Sequence, residues 1–488
     1  MKKLFFISFF MAFLSHYGQE KKESVVFKKK VLETAEIDIL TSYYSQNGNN
    51  AAVTGGIGTE ELTDAATNIN ISIPLNADDI LSIDATVSAY TSASSGNLNP
   101  FSGASRGEDD DDDDDDDDDR RPSKQAVSPV TGSPWVASSG ASNSDVWVNA
   151  NVSYSHSSDD RNTLYNTNLS IAKEYDYFSF GAGANITRLF NQQNTEISIG
   201  GSIYLDSWRP EYPTEIKTYI EENGNLNADF FNGVPIWDQN GNAIDKNAST
   251  AWHPQKNYLI NDKGRDTYTL SLGFSQILSK RLQIALFTDI TYQKGWLANP
   301  MQRVYFADVE NFYIGNPADI PYYTSPQNTQ VFQLADDIER LPDSRFKIPV
   351  GMRFNYYINE FLVLRTYYRY YQDDWGIRSN TFNIELPIKI SARFTLYPGY
   401  RYYDQTAADY FAPYEKHLST DLYYTSDYDL SAFDANQYGL GIKYANPVSP
   451  VKIWKLGIKN ISLNYHYYTR STGLDAHIIS LGTKFLLD

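Results

Sequence analysis

Leu81-Ser82-Ile83-Asp84-Ala85-Thr86-Val87-Ser88-Ala89 places an apolar side chain at every odd position and a polar one at every even position. Successive side chains of an extended strand point to opposite faces, so this segment has one apolar and one polar face. The pattern returns at Val146, Val148, Ala150 and Val152, set against Trp147, Asn149, Asn151 and Ser153. A soluble sandwich alternates in the same way. Strand length separates the two, because many segments here run ten residues or more against the ~5–6 common in soluble sheets.

Reading outward gives about sixteen strands, near 35–46, 64–75, 80–90, 145–156, 163–174, 177–190, 195–207, 266–278, 282–295, 345–358, 361–372, 377–390, 392–405, 435–444, 460–470 and 475–487. With both termini on the periplasmic side, the long connections 47–63, 91–144, 208–265, 296–344 and 406–434 fall outside the cell. The alternate connections are tight, as at Asn76–Asp79, Ser279–Arg281 and Asn359–Glu360. One long connection, 445–459 with Pro447, Pro450 and Trp454, falls on the wrong side, and either a small helix or a misplaced strand would explain it. The expectation is all-β: a transmembrane antiparallel β-barrel in the bacterial outer membrane, with short periplasmic turns and long extracellular loops. Pro74, Pro349, Pro387 and Pro398 fall within proposed strands, where proline removes a ladder donor.

The chain opens with Lys2, Lys3 and an apolar run from Leu4 to Leu14, which reads as a secretory signal peptide over 1–18, cleaved after Gly18. Residues 19–34 then form a periplasmic segment and 35–488 the barrel. No later stretch approaches the ~20 apolar residues of a helical span. With 38 Tyr, 25 Phe and 8 Trp but only 41% hydrophobic residues, the composition suits strands that are half lipid-facing and half wet. There is no cysteine, hence no disulfide and no cysteine-borne lipid anchor. The insertion signal expected for the barrel assembly machinery is the terminal strand, with Gly482, Phe485 and Leu487 at its spacing.

Sorting faces predicts the lumen lining. Lys347, Arg353, Arg365, Arg369, Lys389, Arg393 and Arg401 point inward, opposed on their own strands by Glu385. Asp38, Asp84, Glu196, Asp206 and Asp289 point inward from earlier strands. Charges at membrane depth are tolerated only away from lipid. One basic wall facing an acidic one suits a pore for polar solutes; the alternative is that the charges pair across a filled lumen. Paired tyrosines such as Tyr367-Tyr368 and Tyr402-Tyr403 read as interfacial girdles, with stacking on sugars as the alternative.

The net charge of −19 owes twelve charges to Glu108 and the run Asp109, Asp110, Asp111, Asp112, Asp113, Asp114, Asp115, Asp116, Asp117, Asp118 and Asp119. Adjacent like charges repel, so 108–119 reads as a solvated low-complexity insertion in an extracellular loop, suited to weak Ca²⁺ binding. Asp238-Gln239-Asn240-Gly241-Asn242 resembles a calcium loop but reads better as a hairpin turn. His156, His253, His417, His466 and His477 form no ligand pair at helical spacing, and no basic region suggests nucleic acid. No catalytic set is expected; a hydrolase assembled from loop residues is the third functional reading. The first is passage or binding of a polar solute. The second is a structural or surface-interaction barrel, plugged, acting through its long loops.

Thr34-Ala35-Glu36-Ile37-Asp38-Ile39, the repeats Ser102-Gly103-Ala104-Ser105 and Ser139-Gly140-Ala141-Ser142, and the following Asp145-Val146-Trp147-Val148-Asn149-Ala150 carry a resemblance over nearly the whole mature chain. The chain resembles the Gram-negative outer-membrane proteins of domain-of-unknown-function family 3570, and the resemblance implies a barrel. The two repeats also look like the acceptor for covalent FMN, which would sit on Ser105 or Ser142. That motif has Asp three residues before its first Ser or Thr, where this chain has Asn99 and Val136. A small-residue loop is the competing reading.

Overall fold

Alternating segments this long can satisfy their backbone only against neighbours, and here they do so around a complete ring. The computed structural model describes residues 30–92, 144–209, 212–260, 264–324, 331–446, 451–453 and 456–487. The signal segment, the Asp109–Asp119 run, Ser105 and Ser142 lie outside the described residues.

Sixteen strands make the wall: β1 (Ala35–Asn47), β2 (Leu62–Pro74), β3 (Asp79–Ser92), β4 (Ser144–Ser157), β5 (Thr163–Lys173), β6 (Tyr177–Phe190), β7 (Thr195–Trp208), β8 (Gly264–Ser279), β9 (Leu282–Gly295), β10 (Ser344–Asn359), β11 (Leu362–Asp373), β12 (Arg378–Glu385, resumed at Ile388–Lys389), β13 (Phe394–Gln405), β14 (Phe433–Ala445), β15 (Leu456–Arg470) and β16 (Leu474–Leu487). Each pairs antiparallel with the next. The last closes on the first, from Ala35 opposite Leu487 to Asn47 opposite Asp475. Closure leaves no open edge, the condition for a sheet in lipid.

β12 breaks at Leu386-Pro387, where a proline cannot donate, while Pro398 stays within β13 and its carbonyl accepts the Leu386 N–H at 3.0 Å. The long connection after β14 contains a short strand, Val451–Ile453, which pairs with Ile458–Leu456 and so extends the β14 side of the β15 ladder. Of the two readings of 445–459, the described residues show a strand. Asn240-Gly241 is a turn, with Gly241 at φ 78° and the Ile244 N–H donating to the Ile236 carbonyl at 3.0 Å.

Register divides the wall into two faces. Exposed Val148, Leu169, Ile199, Leu272, Val350, Leu440 and Leu481 share the outer one. Such a continuous apolar surface suits lipid. Neighbouring tyrosines split between faces: Tyr367 and Tyr403 point inward, Tyr368 and Tyr402 outward. The girdle reading can apply to no more than one member of each pair, because adjacent strand residues cannot share a face.

The buried core lies in the connections instead of the wall. The described parts of the loops at the end opposite the termini (48–61, 212–260, 296–324, 331–343 and 406–432) fold together into a cap. Leu226, Phe231, Ile236 and Trp252 of one loop pack on Ile314, Phe332 and Leu334 of another. A second cluster joins Tyr212 and Ile216 to Trp296, Tyr305 and Ile338. Ile216 lies on the single α-helix of the described residues, α1 (Thr214–Glu221).

Candidate functional site

The inner face presents a recess of about 420 Å³ whose lining residues all belong to strands β10–β15. Arg353, Tyr367, Asn383, Glu385 and Arg401 form one side, and Gln437, Asn464 and His466 the other. Gly439 and Gly441 make room between them. A Cβ on Gly439 would come within 2.5 Å of His466 Nδ1, and one on Gly441 would collide with the Asn464 amide.

Of the residues expected to line the lumen, this recess gathers Arg353, Glu385 and Arg401. Arg365 and Arg369 stand beside it on β11, Arg365 bonded to Glu385 at 3.0 Å and Arg369 with its guanidinium 5.9 Å from the Tyr371 ring centroid. Lys347 shares this inner face nearer the cap, paired in register with Thr291 and Asp373. Lys389 lies on the short resumption of β12. Arg393 precedes β13 and sits exposed in the turn, so it is not part of the strand wall.

The acidic residues are held by close donors. Asn68 and Asn70 donate to Asp84 at 3.0 and 3.2 Å, Ser271 to Asp289 at 2.6 Å, and Arg265 to Asp206 at 2.8 Å. Asp38 meets Lys484 at 3.1 Å across the closing seam. Glu196 lies on the same face near the terminal end of β7. Ion pairs among the described wall residues join strands within three places of each other in the ring, so the charges do not pair across the lumen. β3 with Asp84 and β11 with Arg365 and Arg369 stand half a ring apart, which leaves opposite charge on opposite walls. Charge sorting missed Asn383, Gln437 and Asn464, since neutral polar residues occupy most inward positions and nothing in the sequence marks these three.

Above the recess, the cap bridges the mouth. The loops after β1 and after β9 are rooted half a ring apart, yet Arg303 Nη1 donates to the Val53 carbonyl at 2.7 Å. Arg303 also forms a two-pronged pair with Glu215 of α1, at 2.7 and 3.2 Å, both side chains fully buried. The cap grips the rim through Arg470 to Asp429 (2.8 Å) and Gln405 to the Ser431 carbonyl (2.6 Å).

Burial holds four carboxyls of the cap loops, those of Glu339, Asp336, Glu60 and Asp427, above the usual carboxylate range. Burial pushes Glu339 up to about 8, with the Asp427 charge adding to the effect. Burial likewise raises Asp336 to about 8 and, with Asp429 and Asp427 nearby, Glu60 to about 7. Asp427 itself is raised by burial and by Asp429. Asp336 Oδ2 accepts the Phe306 N–H at 2.8 Å while its buried Oδ1 has no partner, an arrangement that favours the neutral acid.

An acid whose folded-state pKa is raised binds its proton more tightly folded than unfolded. Its favourable contribution is therefore complete below the ordinary carboxylate range and is lost as pH rises toward 8. At ~1.4 kcal/mol for each pH unit between the two pKa values, these groups together remove several kcal/mol from the cap. Amide exchange in 296–343, corrected for intrinsic rates, should be faster at pH 9 than at pH 6. Glu339→Gln, a neutral stand-in for the acid, should slow it at pH 9. Equal protection at both pH values would show that these carboxyls do not control the cap.

The family described as "Protein of unknown function (DUF3570)" matches residues 8–481. No curated protein matches. Among solved structures, a bacterial polysaccharide outer membrane secretin is 8% identical at a TM-score of 0.39, covering 93% of this chain and 99% of that one. The monoaromatic hydrocarbon channel TodX, as a ΔS2S3 mutant, is 9% identical at 0.39, covering 94% and 91%. OpdK of Pseudomonas aeruginosa, solved with vanillate, is 8% identical at 0.36, covering 93% and 98%.

Proposed function

The chain belongs to the DUF3570 family, and on that premise we propose that it is an outer-membrane barrel that passes a small polar solute through a charged lumen, its outer mouth shut at rest by the folded loops. The observation that carries this reading is the hollow at mid-wall: a polar recess lined by strand residues alone, beneath loops that meet across one end. A barrel of sixteen strands is wide enough for an aqueous channel unless something fills it. The termini and short turns face the periplasm and the cap faces outward, the usual sidedness of such barrels. Lipid is the partner of the apolar belt. Gly482, Phe485 and Leu487 of β16, the last two on the outer face, supply the signal for assembly into the membrane.

The cap itself favours the second reading, a closed barrel that acts through its loops. Transport separates the two. Proteoliposomes carrying the full chain should admit small sugars and amino acids slowly, with a sharp size limit, and a cap-shortened chain should admit them fast. If neither form exceeds protein-free liposomes, solute passage is wrong and the surface-interaction reading stands.

A further inference from the structure

We propose that the recess is an anion subsite, selecting solutes that carry a carboxylate or phosphate group; this rests on the solute-passage reading and names its substrate class. Four guanidinium groups, those of Arg353, Arg365, Arg369 and Arg401, come to the inner face across strands β10–β13. The register opposes Arg353 to Tyr367, Arg365 to Glu385, and Asn383 to Arg401. Glu385 answers only one of the four, Arg365.

Among the described residues, no carboxylate lies within 4.0 Å of the Arg353, Arg369 or Arg401 guanidinium. Arg353 is held instead by rings. Its guanidinium carbon is 5.3 Å from the Phe287 centroid and 5.9 Å from that of Tyr367, and these two rings stack at 5.8 Å. Rings orient an arginine without neutralising it, so its forked donors stay available. A structural arginine inside a barrel ordinarily has a carboxylate; Asp84, Asp206 and Asp289 have other donors, and Asp84 is half a ring away.

The facing side fits an organic anion's remaining atoms. Gln437, Asn464 and His466 offer neutral donors and acceptors, and the glycines at 439 and 441 keep that side shallow. A planar oxyanion would take two parallel N–H bonds from Arg353 or Arg401, and the amides would meet the body of the solute. A cation would meet uncompensated positive charge on the same wall, so the recess discriminates by sign.

Equilibrium binding tests this independently of transport. Succinate, benzoate and inorganic phosphate would be titrated into the full chain in detergent, with glucose and choline as neutral and cationic probes. At least one anion should bind at least tenfold more tightly than glucose and choline. The Arg353→Gln/Arg401→Gln double variant should lose about tenfold in affinity for it, Arg353→Lys less, and Asp84→Asn nothing. Retained heat-modifiable migration on gels would certify that each variant is a folded barrel. Anions that bind no better than glucose, or equally well in the double variant, would overturn the subsite. If that happened while proteoliposomes still admitted sugars, the subsite alone would fall; if anions bound while nothing crossed the membrane, the passage reading would fall instead.

Discussion

Replacing residues 214–252 with a short Gly/Ser linker should raise the mean conductance of the reconstituted barrel by on the order of tenfold or more. The deletion removes Leu226, Phe231, Val234, Ile236, Ala251 and Trp252, six of the ten buried residues of one cap cluster, and leaves Phe312, Ile314, Phe332 and Leu334 facing water. It also removes Glu215, the counter-charge of Arg303, whose bond to Val53 ties together loops from opposite sides of the ring. The cap loses both its apolar core and its cross-mouth strut in one step. The wall should survive, because its ladders, from β1–β2 round to β16–β1, close through backbone pairing that involves none of these residues. Circular dichroism and heat-modifiable migration should therefore match the parent while single-channel currents become large and sustained. A shortened chain that inserts and yet conducts no more than the parent would mean that the barrier lies within the wall.

The wall was legible because one rule, alternation, acts locally and repeats. Leu81–Ala89 and Val146–Val152 carry their face assignment in their own residues, and the hydrogen-bonded partner adds register but no new pattern. The same rule placed Arg353, Arg365, Arg369 and Arg401 on one face of adjacent strands. It also parts Tyr367 from Tyr368, which the girdle reading had kept together, and it misled at Arg393, which sits just before β13 begins. The cap obeys no such rule. Ile216, Trp296, Tyr305 and Ile338 sit in stretches with no sustained alternation, and the cluster joins residues of the 212–260 loop to residues of the loop after β9. Nothing in a 50-residue connection says which other connection will cover it. The recess falls between these cases. Its charged members followed from parity, whereas Asn383, Gln437 and Asn464 became visible only when register set them around the glycines.

Glu215→Ala should destabilise the cap by about 3–5 kcal/mol, the cost of leaving a buried guanidinium without its partner. Arg303 and Glu215 are buried to 1% and 0% exposure, so water cannot take the place of the lost carboxylate. The Arg303 side chain would have to swing out, which would strip the Val53 carbonyl of its donor at a further cost of about 1 kcal/mol. Urea unfolding followed by tryptophan fluorescence reads the effect, because Trp252 and Trp296 are buried in the cap clusters while the barrel resists denaturant. The cap transition should move to clearly lower urea. Removing both charges is a different experiment. In Glu215→Leu/Arg303→Met the pair's desolvation cost disappears with its attraction, and Ile216, Tyr305 and Ile338 offer an apolar setting for the replacements. That double variant should recover most of the lost stability. A double variant as weak as Glu215→Ala would locate the contribution of Arg303 in the Val53 bond across the mouth, and an unshifted Glu215→Ala would mean that the pair does not hold the cap together.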